Sequence, residues 1–145
     1  MRRLIAIAAT WTLIGAGSLA AAPVSPDWPD CDTGAPAQQI VSCGKIVAKG
    51  GEKPEDLAWI YYRRGNGYQD TGKAKEALAD YAKAIALNPK FSEPHNAVGM
   101  MHFDDGKYAD AVAAYDRAIA IDPKNWRALN NRAMRCAVWA RRLRR

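Results

Sequence analysis

The most informative segment of this chain spans Ala58 to Pro89 and reads AWIYYRRGNGYQDTGKAKEALADYAKAIALNP. Its pattern returns 34 residues further on, where small, aromatic and proline residues recur in the same order. The matched pairs are Gly65 and Gly99, Gly72 and Gly106, Lys73 and Lys107, Ala77 and Ala111, Tyr81 and Tyr115, Ala84 and Ala118, Ile85 and Ile119, and Pro89 and Pro123. A fixed period of this length is typical of proteins built from stacked structural repeats.

Each copy has the features of two antiparallel helices. Tyr81, Ala84 and Ile85 lie three to four residues apart, so they share one helical face. Gly65 removes side-chain bulk where two helix axes approach to about 8–10 Å. A Gly-Lys pair interrupts the helical pattern between the two halves, and Pro89 ends the second helix because the residue before a proline avoids the α region.

This pattern resembles the tetratricopeptide repeat family, which places a small residue and an aromatic on a first helix, then Ala, an aromatic, Ala and a closing Pro. The positions that carry the resemblance are Gly65, Tyr68, Ala77, Tyr81, Ala84 and Pro89 in the first copy, and Gly99, His102, Ala111, Tyr115, Ala118 and Pro123 in the second. The resemblance implies an all-α fold, in which about six helices form antiparallel hairpins that stack into a right-handed solenoid.

The predicted repeat domain covers residues 55–145. Repeat 1 spans 58–91, repeat 2 spans 92–125 and a partial repeat 3 spans 126–145. We expect helices near 35–48, 55–71, 74–87, 92–105, 108–121 and 125–141, with Ser92 as the N-cap of the fourth.

Residues 1–22 have the features of a secretory signal peptide. Arg2 and Arg3 are followed by an apolar run from Leu4 to Leu19 and by small residues. A retained membrane anchor is the alternative, but the run of about 16 residues is shorter than the ~20 that span a bilayer. We expect cleavage after Ala20 or Ala22, a periplasmic or secreted location, and no stable membrane insertion afterwards.

Residues 23–54 are predicted to be an N-terminal extension with a capping half-repeat. An irregular segment precedes a helix in which Cys43 stands at the position of the repeat tyrosine. We expect a Cys31–Cys43 disulfide, worth about 3 kcal/mol for a short loop. Two buried free thiols are the alternative, and the spacing differs from the Cys-x-x-Cys of a redox pair. Cys136 is expected to be a small buried apolar residue.

Charge and spacing disfavour several classes of function. The net charge of +6 comes from the ends, since residues 23–124 carry 12 basic against 15 acidic side chains, a net −3. A basic body that attracts nucleic acid is therefore not expected. His95 and His102 are separated by about 10.5 Å of helix rise, too far to share one zinc ion. With no nucleophile–base set or phosphate-binding loop in the sequence, we expect neither an enzyme nor a cofactor.

The resemblance also implies a concave groove, lined by the first helices of successive repeats, that binds a protein or peptide partner. The residues expected to face it are Trp59, Tyr62, Arg63, Asn66, Gln69, Asn96, Ala97, Met100, Phe103, Arg127, Asn130 and Asn131. Amides suit backbone groups, arginine suits a carboxylate and aromatics suit side chains. We therefore expect an exported scaffold or adaptor, with a solvated inner face that binds nothing as the alternative.

The C-terminal arginines offer a second hypothesis. Arg141, Arg142, Arg144 and Arg145 could bind anionic lipid or nucleic acid, or could serve only as a solubilising tail. The third repeat lacks both the Gly-Lys turn and a second helix, so a natural cap, a truncation and an out-of-frame end all stay open. Self-association through the C-terminal helix stays open as well.

Overall fold

The computed structural model describes residues 25–144. The helices follow one another as α1 (Trp28–Thr33), α2 (Pro36–Lys49), α3 (Pro54–Asp70), α4 (Ala74–Leu87), α5 (Ser92–Asp104), α6 (Tyr108–Ile121) and α7 (Trp126–Leu143). The predicted all-α array is confirmed: α3 and α4 form the first hairpin, α5 and α6 the second, and α7 packs on α6. Within residues 25–144, no helix has the length and apolar character that crossing a membrane requires. The expected signal peptide lies outside the described residues.

Each hairpin is held together by a tyrosine ring that lies on a glycine. Tyr81 and Tyr115 are fully buried. A Cβ atom added to Gly65 would lie 2.6 Å from Cε1 of Tyr81, and one added to Gly99 would lie 2.6 Å from Cε1 of Tyr115. Real Cβ atoms do not approach carbon so closely, so the glycines allow the two helices of each pair to pack.

The turns inside the two hairpins are equivalent. Gly72 and Gly106 have φ of 76° and 77°, the left-handed conformation that glycine adopts without strain. The residue after each glycine closes the preceding helix, because the Lys73 N–H donates to the carbonyl of Tyr68 at 2.8 Å. The predicted break between the helices therefore lies at the Gly-Lys pair.

The segment before α2 is helical rather than irregular. Sequence analysis missed α1, in which Pro29 occupies the first turn and adds no unsatisfied N–H there. A disulfide between Cys31 and Cys43 joins α1 to α2. Both cysteines are fully buried in a cluster with Ile46 and Ile60, so the disulfide is part of the contact between the N-terminal helices and α3.

Ser92 does not cap α5, so that expectation is wrong. The helix starts at Ser92 itself, and the Ser92 hydroxyl accepts a hydrogen bond of 2.9 Å from Asn125 Nδ2. Asn125 in turn caps α7, because its Oδ1 accepts from the N–H of Ala128 at 3.1 Å. The serine therefore connects the start of the second hairpin to the start of α7.

Candidate peptide-binding cavity

A cavity of about 290 Å³ opens between α2, α3, α5 and α7. Its lining residues are Gln39, Tyr62, Arg63, Asn66, Gln69, Asp70, Asn96, Ala97, Met100 and Arg127. Eight of these ten were expected to face the groove, and the structure brings them together around one space. We call this space the central cavity.

Two predicted aromatic residues lie outside the central cavity. Trp59 stacks on Phe91 with a centroid distance of 5.6 Å. Phe103 packs edge-on against Tyr108 at 5.0 Å, and the Arg135 guanidinium lies 4.7 Å from its ring centroid. Both rings thus hold helices together instead of lining the space.

The predicted amides of α7 divide between the rim and the solvent. Asn131 Nδ2 donates to Oδ1 of Asn96 at 2.9 Å, which ties α7 to the edge of the central cavity. Asn130 is exposed and does not line the cavity. The asparagine pair fixes the orientation of the Asn96 amide, because its oxygen is already engaged.

Two lining residues were missed by sequence analysis. Gln39 comes from α2, which approaches α3 so closely that a Cβ added to Gly67 would lie 2.7 Å from the carbonyl oxygen of Pro36. Asp70 lies one helical turn after Asn66 on α3 and shares its face. The helical spacing could have identified Asp70. Gly67, a second glycine on α3, could have indicated the close contact with α2.

The floor of the central cavity is held by a tyrosine hydroxyl. Tyr81 Oη lies 2.9 Å from Oδ1 of Asn66 and 2.7 Å from Oε1 of Gln69. The Tyr81 hydroxyl has one proton, so it can donate to only one of these two oxygens. With the other amide flipped, that amide's NH₂ group faces the hydroxyl and donates to it. Burial raises the pKa of Tyr81, which keeps the hydroxyl protonated.

The second repeat has lost this arrangement. The positions equivalent to Asn66 and Gln69, 34 residues on, are Met100 and Phe103. Tyr115 Oη is consequently buried without a hydrogen-bond partner among the described residues. Burial raises the pKa of Tyr115 to about 12. The cavity therefore takes polar groups mainly from α3 and an apolar surface from Met100.

Two arginines, Arg63 and Arg127, line the central cavity together with Asp70. Arg63 Nε lies 3.2 Å from Oδ1 of Asp32, close enough for an ion pair but without the alignment of a hydrogen bond. Its guanidinium carbon lies 5.7 Å from the Trp59 ring centroid, so the side chain is held between a carboxylate and an aromatic face. Arg127 is exposed at the opposite rim. An anionic group on a ligand would pair with Arg127 at a smaller desolvation free energy than with Arg63, because the Arg127 guanidinium is exposed to water.

A buried ion pair anchors α3 behind the cavity. Arg64 donates to Asp80 twice, from Nε to Oδ2 at 2.6 Å and from Nη2 to Oδ1 at 2.9 Å. The paired carboxylate raises the pKa of Arg64. Asp80 supplies the counter-ion for the Arg64 guanidinium, which would otherwise be enclosed between the two helices without a partner.

A second, larger cavity of about 570 Å³ lies at the turn end of the hairpins and is lined by Lys75, Met101, His102 and others. At its rim, Lys107 Nζ lies 2.6 Å from Oδ2 of Asp105, and both side chains are exposed. Among the described residues, no three His, Cys, Asp or Glu side chains converge as metal ligands would. The central cavity, where polar groups converge from separate helices, is the stronger candidate site.

The predicted anionic-surface site is only partly available. Arg142 Nη1 donates to the hydroxyl of Tyr108 at 2.7 Å, so this arginine packs against α6. Arg141 and Arg144 are exposed, and Arg145 lies outside the described residues. The anionic-surface hypothesis stays a prediction.

The sequence model of the Tetratricopeptide repeat family matches residues 62–133, from α3 into α7. Among solved structures, the crystal structure of MamA superposes with a TM-score of 0.66 at 24% sequence identity, over 79% of this chain. The chain spans 64% of the MamA chain, and the likeness is one of fold. No curated protein matches the sequence. The two copies of the Gly–Tyr hairpin and the match of the family model to residues 62–133 show that the repeat region of this chain belongs to the tetratricopeptide repeat family.

Proposed function

We propose that this chain is a non-enzymatic scaffold that binds an extended peptide segment of a protein partner in the central cavity. The observation that carries the proposal is the convergence of side-chain amides and two arginines around one space, the amides being those of Gln39, Asn66, Gln69 and Asn96. A scaffold role agrees with the family, whose helical arrays serve protein–protein interaction.

The lining groups suit a peptide backbone. An amide oxygen that already accepts one hydrogen bond has a second lone pair, and each amide nitrogen carries two donors, so these groups can pair with extended main chain without a charged ligand. Tyr62 and Met100 add an apolar surface for one side chain of the peptide. Arg127 is positioned at the rim to hold a carboxylate, which makes an acidic residue in the peptide favourable.

The test begins with peptides selected by phage display on the purified chain. Arg127→Ala and Met100→Ala each remove a lining group without touching the Tyr81 floor, and we expect each to weaken the selected peptide at least about tenfold, or 1.4 kcal/mol. Lys75→Ala, in the larger cavity at the turns, is the matched control and should bind normally. Equal binding by all three variants would reject the central cavity as the site.

We propose also that the chain acts after export to an oxidising compartment. The buried Cys31–Cys43 disulfide supports this location, because such bonds persist outside the reducing cytosol. When the chain is produced in a Gram-negative host, intact-mass measurement should show the loss of 20 or 22 residues. Alkylation should label one cysteine before reduction and three after it. Recovery of the uncleaved chain with three reactive thiols would refute export.

A further inference from the structure

The short helix α1 influences the central cavity through one carboxylate. Asp32 lies near the C-terminal end of α1, and its Oδ1 lies 3.2 Å from Nε of Arg63, which lines the cavity. The same oxygen accepts a hydrogen bond of 3.2 Å from Nε1 of Trp59. Asp32 is not one of the lining residues, so its effect on the cavity is exerted through Arg63.

The position of Asp32 is fixed by its backbone as well as by its side chain. The preceding residue, Cys31, is fully buried and is joined to Cys43 of α2 by the disulfide. Nε2 of Gln39, a buried residue of α2, donates to the carbonyl oxygen of Asp32 at 3.4 Å. Because α1 is held on α2 in this way, little side-chain entropy is lost in keeping the Asp32 carboxylate beside Arg63.

The charged side chains around the central cavity are therefore not equivalent. Arg63 is paired with Asp32, and its side chain is only 22% exposed. Arg127 is exposed and forms no ion pair with another described residue. A carboxylate that approaches Arg63 also approaches Asp32, so repulsion offsets much of the attraction. A carboxylate that approaches Arg127 meets a guanidinium whose charge is not already paired.

From these contacts we propose that Asp32 is a positioning residue that sets the charge selectivity of the central cavity, an inference that rests on the proposed function. Asp32 neutralises Arg63, so the ligand is an extended peptide with an acidic residue at Arg127 and an uncharged residue at Arg63. The family model matches residues 62–133, so this selectivity comes from a helix outside the matched repeats.

The probe is a random-peptide library displayed on phage, selected in parallel on the native chain and on Asp32→Asn. Asparagine keeps the size of the side chain and an oxygen that can accept from Trp59, but it removes the charge. Peptides selected by the native chain should be enriched in acidic residues at one position. Peptides selected by Asp32→Asn should be enriched in acidic residues at a second position as well.

The size of the effect is measured by fluorescence anisotropy on one peptide from the native selection. Each of its residues is replaced in turn by glutamate and by glutamine, which locates the position beside Arg63. There, glutamate in place of glutamine should change the affinity of the native chain less than about twofold but tighten binding to Asp32→Asn roughly fivefold, as a partly exposed ion pair does. This gain should shrink as salt is added, because salt screens the new pair.

Two further variants separate the charge of Asp32 from its structural role. Arg63→Gln leaves the Asp32 carboxylate without its counter-ion, so glutamate at that position should now weaken binding. In Asp32→Asn/Arg63→Gln both charges are absent, and glutamate and glutamine should bind alike. Asp30→Asn is the matched control, because it removes an exposed carboxylate of the same helix and should keep the native selectivity. Alkylation before reduction checks that the disulfide is intact in every variant.

Two results would overturn this proposal alone. The first is the same preference between glutamate and glutamine in the native chain and in Asp32→Asn. The second is equal weakening of every peptide by Asp32→Asn, whatever its charge, which would give Asp32 a purely structural role. In both cases peptides still bind, so the proposed function of the central cavity would stand. If neither the native chain nor Asp32→Asn selected any peptide, both proposals would be rejected.

Discussion

Removing one hydroxyl from each repeat should change stability in opposite directions. Tyr81 and Tyr115 occupy equivalent, fully buried positions, but only the Tyr81 hydroxyl has hydrogen-bond partners among the described residues. Tyr81→Phe removes a hydrogen bond and leaves two amides that can still reach water in the central cavity. We expect it to lower the free energy of unfolding by about 1 kcal/mol.

Tyr115→Phe removes a hydroxyl that is buried in the folded chain and has no hydrogen-bond partner among the described residues. Burying an unpaired polar group costs about 1–3 kcal/mol in proteins, and a small void offsets part of the gain. We expect the variant to raise the free energy of unfolding by about 1 kcal/mol. The two variants should therefore differ by about 2 kcal/mol, or roughly 7–8 °C in Tm for a chain of this length.

Urea denaturation followed by far-UV circular dichroism measures both values, provided that the slope m is unchanged. The double variant should equal the sum of the two, because the hydroxyls lie in different hairpins. If Tyr115→Phe destabilised the protein as much as Tyr81→Phe, the reasoning would be refuted, since the Tyr115 hydroxyl would then have a partner such as a bound water.

Two further predictions concern a glycine and a histidine. Gly99→Ala should lower the free energy of unfolding by about 1–3 kcal/mol in urea denaturation, because its Cβ meets the Tyr115 ring. Gly44→Ala, with only the Arg64 guanidinium at 3.9 Å, should be stabilising by about 0.5–1 kcal/mol, and equal effects would contradict the steric account. Burial, reinforced by nearby Arg117, lowers the pKa of His95, so the unfolded chain binds the proton first. Stability is then fully present above about pH 6.5 and declines as the pH falls through that value. Thermal unfolding between pH 8 and 5 should show this decline in the native chain and in His102→Gln but not in His95→Gln; persistence of the decline in His95→Gln would assign it to other groups.

The architecture was predictable because the turn residues within each hairpin and the 34-residue repeat indicate the same helix boundaries. The predicted helices match α2 to α7 within two residues at each end, since glycine turns and prolines mark their bounds. The short α1 was not predictable, because six residues carry no full helical period and its stability comes from packing around Cys31.

The candidate site was predictable only to the level of a helical face. Eight cavity residues were expected from the family resemblance, which implies a groove lined by the first helices of the repeats. Phe103 was expected in the groove, but its ring lies between Tyr108 and Arg135. This position depends on how α7, which carries Arg135, packs against the second hairpin. Gln39 reaches the cavity only because α2 comes against Gly67, and periodicity along one helix says nothing about the distance to another.

The ion pair between Arg64 and Asp80 has a consequence for the order of the repeats. Asp80 has no equivalent in the second hairpin, where the matching residue of α6 is Ala114. If α6 slipped by one period and took the place of α4, Arg64 would be enclosed with no counter-ion, at a cost of about 3–5 kcal/mol. The ion pair therefore disfavours an exchange of the two structurally equivalent hairpins during folding, which is the kind of misassembly to which repeat proteins are prone.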